Sequence, residues 1–343
     1  MTRRGWIDAL FDLIDAAPAP RWAVYLALYA VGFGGTQVAN WIDGIVAFPE
    51  IAPSLLVGAV FPVAFPWSMQ ALNDVAMRSL ETLRPALELD AAGQAALAVE
   101  IGQTPAAVSV AVIPAGVIVG VASVLGSPSA WGLRDDIGPA SWAATYALSV
   151  ATMVLLLAFL AHVLHQLRVV GRVHRHFVRV DLFHLEPLYA FATLTARTGM
   201  ALLGLVVFGI VGLSLTTGQL IGLASTDLGV TLAMLLVAVA SFIVPLLGLH
   251  GRISAERDRR REEAAVVVAR TVGEIQARSA AGEHDAVGAL NNSLQAATTA
   301  MTTVSKISTW PWRPETLRGF VSAIGLPVVV WVITAVLSRV IPR

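Results

Sequence analysis

Arg168, Arg172, Arg175 and Arg179 recur at spacings of four, three and four, in a stretch that also holds five of the chain's seven histidines. At about 100° per helical residue the four guanidinium groups fall within one stripe roughly 60° wide. His165 and His176 lie along one edge of it, and Val169, Val173, Phe177 and Val180 cover another face. Such a stripe can do three things. It can meet the phosphates of anionic lipid, each residue contributing about 1 kcal/mol. It can face a central axis and draw anions in through a summed field. It can sense voltage, which fits least, because these arginines follow an apolar run and do not interrupt one.

The histidines suggest a second chemistry. His162 and His165 are three apart and share a helix face, and His174, His176, His184, Asp181 and Glu186 follow. Nitrogen and carboxylate ligands at such spacing can hold zinc, iron or haem. The interleaved arginines would repel a divalent cation, however. The stretch therefore reads as a titratable interfacial patch whose charge grows as pH falls toward about 6. No metal and no cofactor is expected.

The elements that position these groups are membrane helices. The chain is 56% hydrophobic and 13% charged, whereas soluble domains are about 25% charged. The fold expected is all-α, a polytopic integral membrane bundle with a cytoplasmic antiparallel helical hairpin. Seven crossings are expected, near Trp22–Trp41, Ile51–Met69, Ala106–Gly126, Trp142–Leu164, Gly199–Thr217, Leu228–Leu249 and Arg318–Leu337, each close to the roughly 20 residues a bilayer core needs. Of the 23 lysines and arginines, all but Arg134, Arg339 and Arg343 fall on one side when the amino terminus is placed in the cytoplasm. That bias fixes the orientation, and a bacterial inner membrane is the expected location. Residues 1–249 form the membrane domain, 250–313 the hairpin and 314–343 a final membrane segment. Met1 to Arg21 lacks the clean apolar core of a secretory signal, since Asp8, Asp12 and Asp15 interrupt it.

Three elements outside the crossings are legible. Residues 5–17 place Trp6, Leu10, Phe11 and Ile14 on one side and three aspartates on the other, as in an interfacial helix. Residues 70–105 form a polar connection that Pro85 bends, with Asp90 as a helix cap. In the hairpin, Ala265, Val268, Val272 and Ile275 face a returning seam of Leu290, Leu294, Ala297, Met301 and Val304 around a break at Gly282. Each arm should reach roughly 35–45 Å. The seam is rich in Ala, Val and Thr, so its burial is thin and packing against other copies is expected.

Prolines interrupt four crossings, Pro62 and Pro66 in the second, Pro114 in the third, Pro245 in the sixth and Pro327 in the seventh. Each removes a helical hydrogen bond, and such breaks recur where helices line a path. The remaining chemistry is sparse. The absence of cysteine removes disulfides and thiolate sites. No carboxylate lies in the core of an expected span, which argues against an ion-coupled carrier. No Walker A, dinucleotide fingerprint or HExxH motif occurs. The one lysine, Lys306, precedes Trp310-Pro311-Trp312 in the hairpin, which excludes a retinal pigment. An enzyme is not expected. The leading expectation is an oligomeric ion channel or passive pore with a basic, anion-attracting cytoplasmic mouth. The alternative is a non-conducting sensor or scaffold that signals through the hairpin. The partners expected are the bilayer, anionic headgroups, further copies of the chain and a cytoplasmic protein, with no nucleic acid.

Overall fold

The computed structural model describes residues 5–126, 138–217, 225–312, 315–319, 321–322 and 325. The described residues are all-helical apart from one bridge that pairs Leu87 with Val178. In chain order the helices are α1 (Trp6–Ala16), α2 (Arg21–Ile42), α3 (Pro53–Gly58), α4 (Phe61–Leu83), α5 (Ala91–Gly102), α6 (Ala106–Gly126), α7 (Pro139–His176), α8 (Ala190–Thr217), α9 (Ser225–Ala280) and α10 (His284–Ser305).

Five stretches, Pro53–Ala86, Ala91–Gly126, Pro139–His176, Glu186–Gly209 and Leu236–Ala280, are long and apolar enough to cross a bilayer. They are consistent with a membrane location. The first expected crossing is helical within α2 but is not among them. Gly32, Gly34, Gly35, Gln37 and Asn40 dilute its apolar character. The last expected crossing, with Pro327, lies mostly outside the described residues.

α7 is the hub, touching α2, α4, α6 and α9. Its closest neighbour is α6, and two glycines explain why. A Cβ on Gly116 would lie 2.5 Å from Val154 Cα, and one on Gly120 would lie 2.8 Å from Val150 Cα. Small residues four apart let two backbones meet, which is how helices associate where lipid removes the hydrophobic drive. Ser149 then donates across the contact to the Gly120 carbonyl at 3.0 Å. At the opposite end of α2, the Asp43 carboxylate accepts from the Ser141 N–H at 2.6 Å. It thereby meets unpaired donors at the amino terminus of α7.

The prolines separate into three kinds. The second expected crossing divides at Ala59–Val60 into α3 and α4, so Pro62 falls in the first turn of α4, where its missing N–H costs nothing. It starts a helix instead of breaking one. Pro66, Pro114 and Pro245 do lie inside helices. Pro66 and Pro245 are buried in the bundle, whereas Pro114 is exposed on its outside.

α1 also differs from expectation. Ile7, Phe11 and Ile14 are buried, and the Trp6 indole donates to the Ser109 carbonyl of α6. Much of the apolar face is therefore covered by the chain itself, with Leu10 half-buried and Leu13 exposed.

α9 runs without interruption from the bundle to Ala280, passing through residue 250 as one helix. At 1.5 Å per residue its 56 residues span about 84 Å, well beyond a hydrocarbon core of about 30 Å. Gly282 turns the chain at φ 76°, a conformation that glycine adopts freely, and α10 packs back along α9. Leu290, Leu294, Ala297 and Met301 are half-buried in that seam and Val304 is buried. On α9 the covered residues are Ala264, Val268, Thr271, Val272 and Ile275. Val268, Val272 and Ile275 lie where the spacing puts them, whereas Ala265 is exposed and Ala264 is covered in its place.

Candidate functional site

The described polar and charged groups of interest gather at the end of the bundle where α4 and α7 finish and α8 begins. The arginine ladder is broken there. α7 ends at His176 because residues 177–179 pair with 86–88. The Glu88 N–H donates to the Phe177 carbonyl at 2.8 Å, and the Arg179 N–H donates to the Ala86 carbonyl at 2.9 Å. Arg179 is thus in a loop and out of line with the others. Arg168 is exposed. Arg172 forms an ion pair with Glu100 of α5. The stem of Arg175 lies over Gly248 of α9, where a Cβ would approach its Cγ to 2.7 Å. The expected stripe therefore points in several directions and grips two neighbouring helices.

The same junction is fastened from α9. Arg252 Nη1 donates to the carbonyls of His174 and Arg175, each at 3.3 Å. A cation thereby meets the unpaired carbonyls that end α7. The His174 ring contacts the Pro245 carbonyl at 3.5 Å and lies edge-on to Phe191. One turn further along α9, His250 stacks on Trp310 with centroids 4.1 Å apart, and Trp310 stacks on Trp312 at 4.4 Å. Phe242 completes the column at 5.5 Å from Trp312. Tryptophans at this level suit a membrane–water interface, and they pin the chain leaving the hairpin to the helix that entered it.

Deeper in the bundle the histidines do different work from that expected. His165 Nε2 donates to the Glu100 carbonyl at 2.9 Å, and His176 is exposed beside Phe177. His162 is fully buried. Its Nδ1 lies 2.7 Å from Thr104 Oγ1 and its Nε2 lies 2.9 Å from Asn73 Oδ1. Gln166 Nε2 also donates to Asn73 Oδ1 at 3.1 Å, and Asn73 Nδ2 donates to the Gly102 carbonyl at 3.3 Å. With Asn73 Oδ1 already accepting from Gln166, the consistent arrangement has Nε2 carrying the proton and Nδ1 accepting from Thr104. This knot joins α4, α5, α7 and the turn before α6. Gln166 Oε1 has no hydrogen-bond partner among the described residues.

An acidic cavity of about 300 Å³ opens beside the knot, lined by Asp8, Asp12 and Asp15 of α1, by Gln70, Asn73 and Asp74 of α4, and by Gly102 and Gln103. Arg21 crosses its wall, donating to Asp15 at 2.6 Å and to Asp74 at 3.0 Å. The hydrogen bond that Arg21 donates to Asp15, with the nearby charges of Asp15 and then Asp74, raises the pKa of Arg21 further. The loop after the ladder holds a second small constellation. There the Phe183 N–H, and after it the His184 ring, keep the Asp181 carboxyl below its usual range. Asn73, Thr104 and Gln166 carried no signal in the sequence, because their partners lie dozens of residues away and follow no spacing. Among the described residues no three histidines or carboxylates are placed to share a metal ion.

The chain matches no protein family, no curated protein and no solved structure. Its function must therefore be read from this geometry.

Proposed function

We propose that the chain is a polytopic membrane scaffold that carries signals between its bundle and a rigid cytoplasmic helical hairpin. One observation carries the reading: α9 is a single helix from the bundle to the hairpin tip. The grip of Arg175 and Arg252 between α7 and α9, together with the Trp310–His250 stack, supports it by bracing the point where the hairpin leaves the bundle. A tilt or rotation of α7 would be felt at the tip, about 45 Å from residue 250 at 1.5 Å per residue. The proposal keeps seven crossings, an amino terminus in the cytoplasm and a bacterial inner membrane. Arg168 and His176, both exposed, are the ladder residues proposed to touch anionic headgroups.

A second reading, an oligomeric channel or passive pore, is favoured by the acidic cavity and the polar knot, which share Asn73. The engagement of Arg172 and Arg175 within the chain weakens the basic-vestibule form of that reading. Four carboxylates at the cavity would instead attract cations.

Ion flux into liposomes reconstituted with the purified protein separates the two readings. The scaffold predicts no flux above protein-free liposomes. Cation-selective flux that falls when Asp12→Asn and Asp74→Asn are combined would establish the pore. Labelling of Ser293→Cys from outside intact cells would overturn the cytoplasmic hairpin.

A further inference from the structure

The two arms of the hairpin are chemically unlike. α9 beyond the bundle is densely charged, with Arg259, Arg260, Glu262, Glu263, Arg270 and Glu274 among its exposed residues. α10 has no charged side chain from Val287 to Ser305, although most of it is exposed and only Val304 is buried. A solvated arm ordinarily presents charge on its outer face. α10 presents Asn292, Ala296, Thr299, Ala300 and Thr303 there, on the side away from its seam with α9.

The threonine hydroxyls on this arm do not need water. Thr299 donates to the Gln295 carbonyl and Thr303 to the Thr299 carbonyl, both at 2.8 Å. Thr298 and Thr302 bond back in the same way at 2.8 and 2.9 Å. Hydroxyls satisfied by their own helix leave methyl groups outward, and covering them avoids the cost of stripping an unpaired polar group. Beside this face runs an open groove of about 680 Å³, walled by Phe183, itself 66% exposed, and reaching from Asn292 to Val304. That is about 18 Å, or a little over three helical turns.

We infer that this face of α10 and its groove are covered by the α10 of a second copy of the chain. Charge complementarity selects that occupant. A neutral surface placed against itself about a two-fold axis desolvates no charge and opposes no like charges, whereas α9 would bring arginines and glutamates into the groove. Both copies enter the membrane in the same sense, so the axis lies along the membrane normal and the two helices run parallel and in register. Ala296 then faces its own counterpart, where small side chains permit close approach, and Asn292 meets Asn292, a pairing that fixes register in parallel helices. Phe183 closes the edge of the contact. The inference rests on the hairpin lying outside the bilayer, which Ser293→Cys labelling tests separately, and it holds whether or not anything permeates.

The chain has no cysteine, so single replacements report cleanly. In native membranes, Ala296→Cys and Thr303→Cys are each expected to form a disulfide-linked dimer on mild oxidation, while Ala277→Cys on the outer face of α9 is not. Ala296→Glu combined with Thr303→Glu should raise the dimer dissociation constant at least about a hundredfold, since like charges would oppose each other across the axis. The melting temperature of the separated chain should be unchanged, because both positions are exposed within one copy. Failure of both cysteines to cross-link, with an unaltered particle size for the glutamate variant, would overturn the inference. So would cysteines that resist both cross-linking and a water-soluble maleimide, because lipid or another protein would then be the cover.

Discussion

The polar knot in the bundle and the seam of the hairpin solve opposite problems. Around His162 the side chains of Thr104 and Gln166 are buried and that of Asn73 half-buried, and nearly every polar atom is matched by a partner from another element. Along α10 the apolar side chains are only half-buried, and the hydroxyls are satisfied within their own helix. The first region derives its order from contacts between distant parts of one chain. The second has a helical form that needs little from the rest of the chain, and it leaves a surface that another molecule can use. The contrast teaches where this protein keeps its stability and where it leaves an uncharged surface exposed.

Substitutions should rank accordingly in thermal unfolding of the detergent-solubilised protein. Gly116→Leu is expected to be the most severe, at about 3 kcal/mol or more. Its side chain would have to displace the Val154 backbone, and overpacking against backbone relaxes poorly. His162→Leu should follow at about 2–3 kcal/mol, since it leaves the buried Thr104 hydroxyl without its His162 partner and removes one of the two bonds to Asn73 Oδ1. Leu294→Ala should cost about 1 kcal/mol, as expected for a side chain only half removed from water. If Leu294→Ala proved as damaging as His162→Leu, the seam would be a true core and the contrast would fail. Arg278→Gln should lie within about 0.5 kcal/mol of the parent, because its pairs with Glu274 and Glu283 are exposed.

How much of this was legible in the sequence follows the same division. The seam positions from Leu290 to Val304 could be placed from periodicity alone, because a helix pair reads out local spacing. On α9, Val268, Val272 and Ile275 could be placed in the same way, and only Ala265 was misplaced. Ala264 and Ala265, followed by Val266, Val267 and Val268, offer two apolar registers of nearly equal quality, and packing chose the one that leaves Val266 and Val267 exposed. The ladder was visible as far as Arg175. Its end was not, because α7 is stopped by pairing with residues 86–88, far away in the chain. Pro62 was expected to break a helix, and it begins one because the turn at Ala59–Val60 comes first. Asn73, Thr104 and Gln166 were invisible for the reason the knot exists at all, since only the folded chain brings them to His162.

The central claim is that the bundle and the hairpin move as one body through α9. It is tested most directly by the distance between spin labels at Leu164→Cys on α7 and Ala277→Cys near the tip of α9, both exposed. The labelled protein would be reconstituted in bilayers and diluted with unlabelled chains, so that only distances within one copy are read. A single narrow distribution is the predicted result, broadening when Arg175→Ala and Arg252→Ala remove the grip between α7 and α9. A broad or two-peaked distribution in the parent protein would contradict the account, because a hinge near residue 250 would then uncouple the hairpin from the bundle.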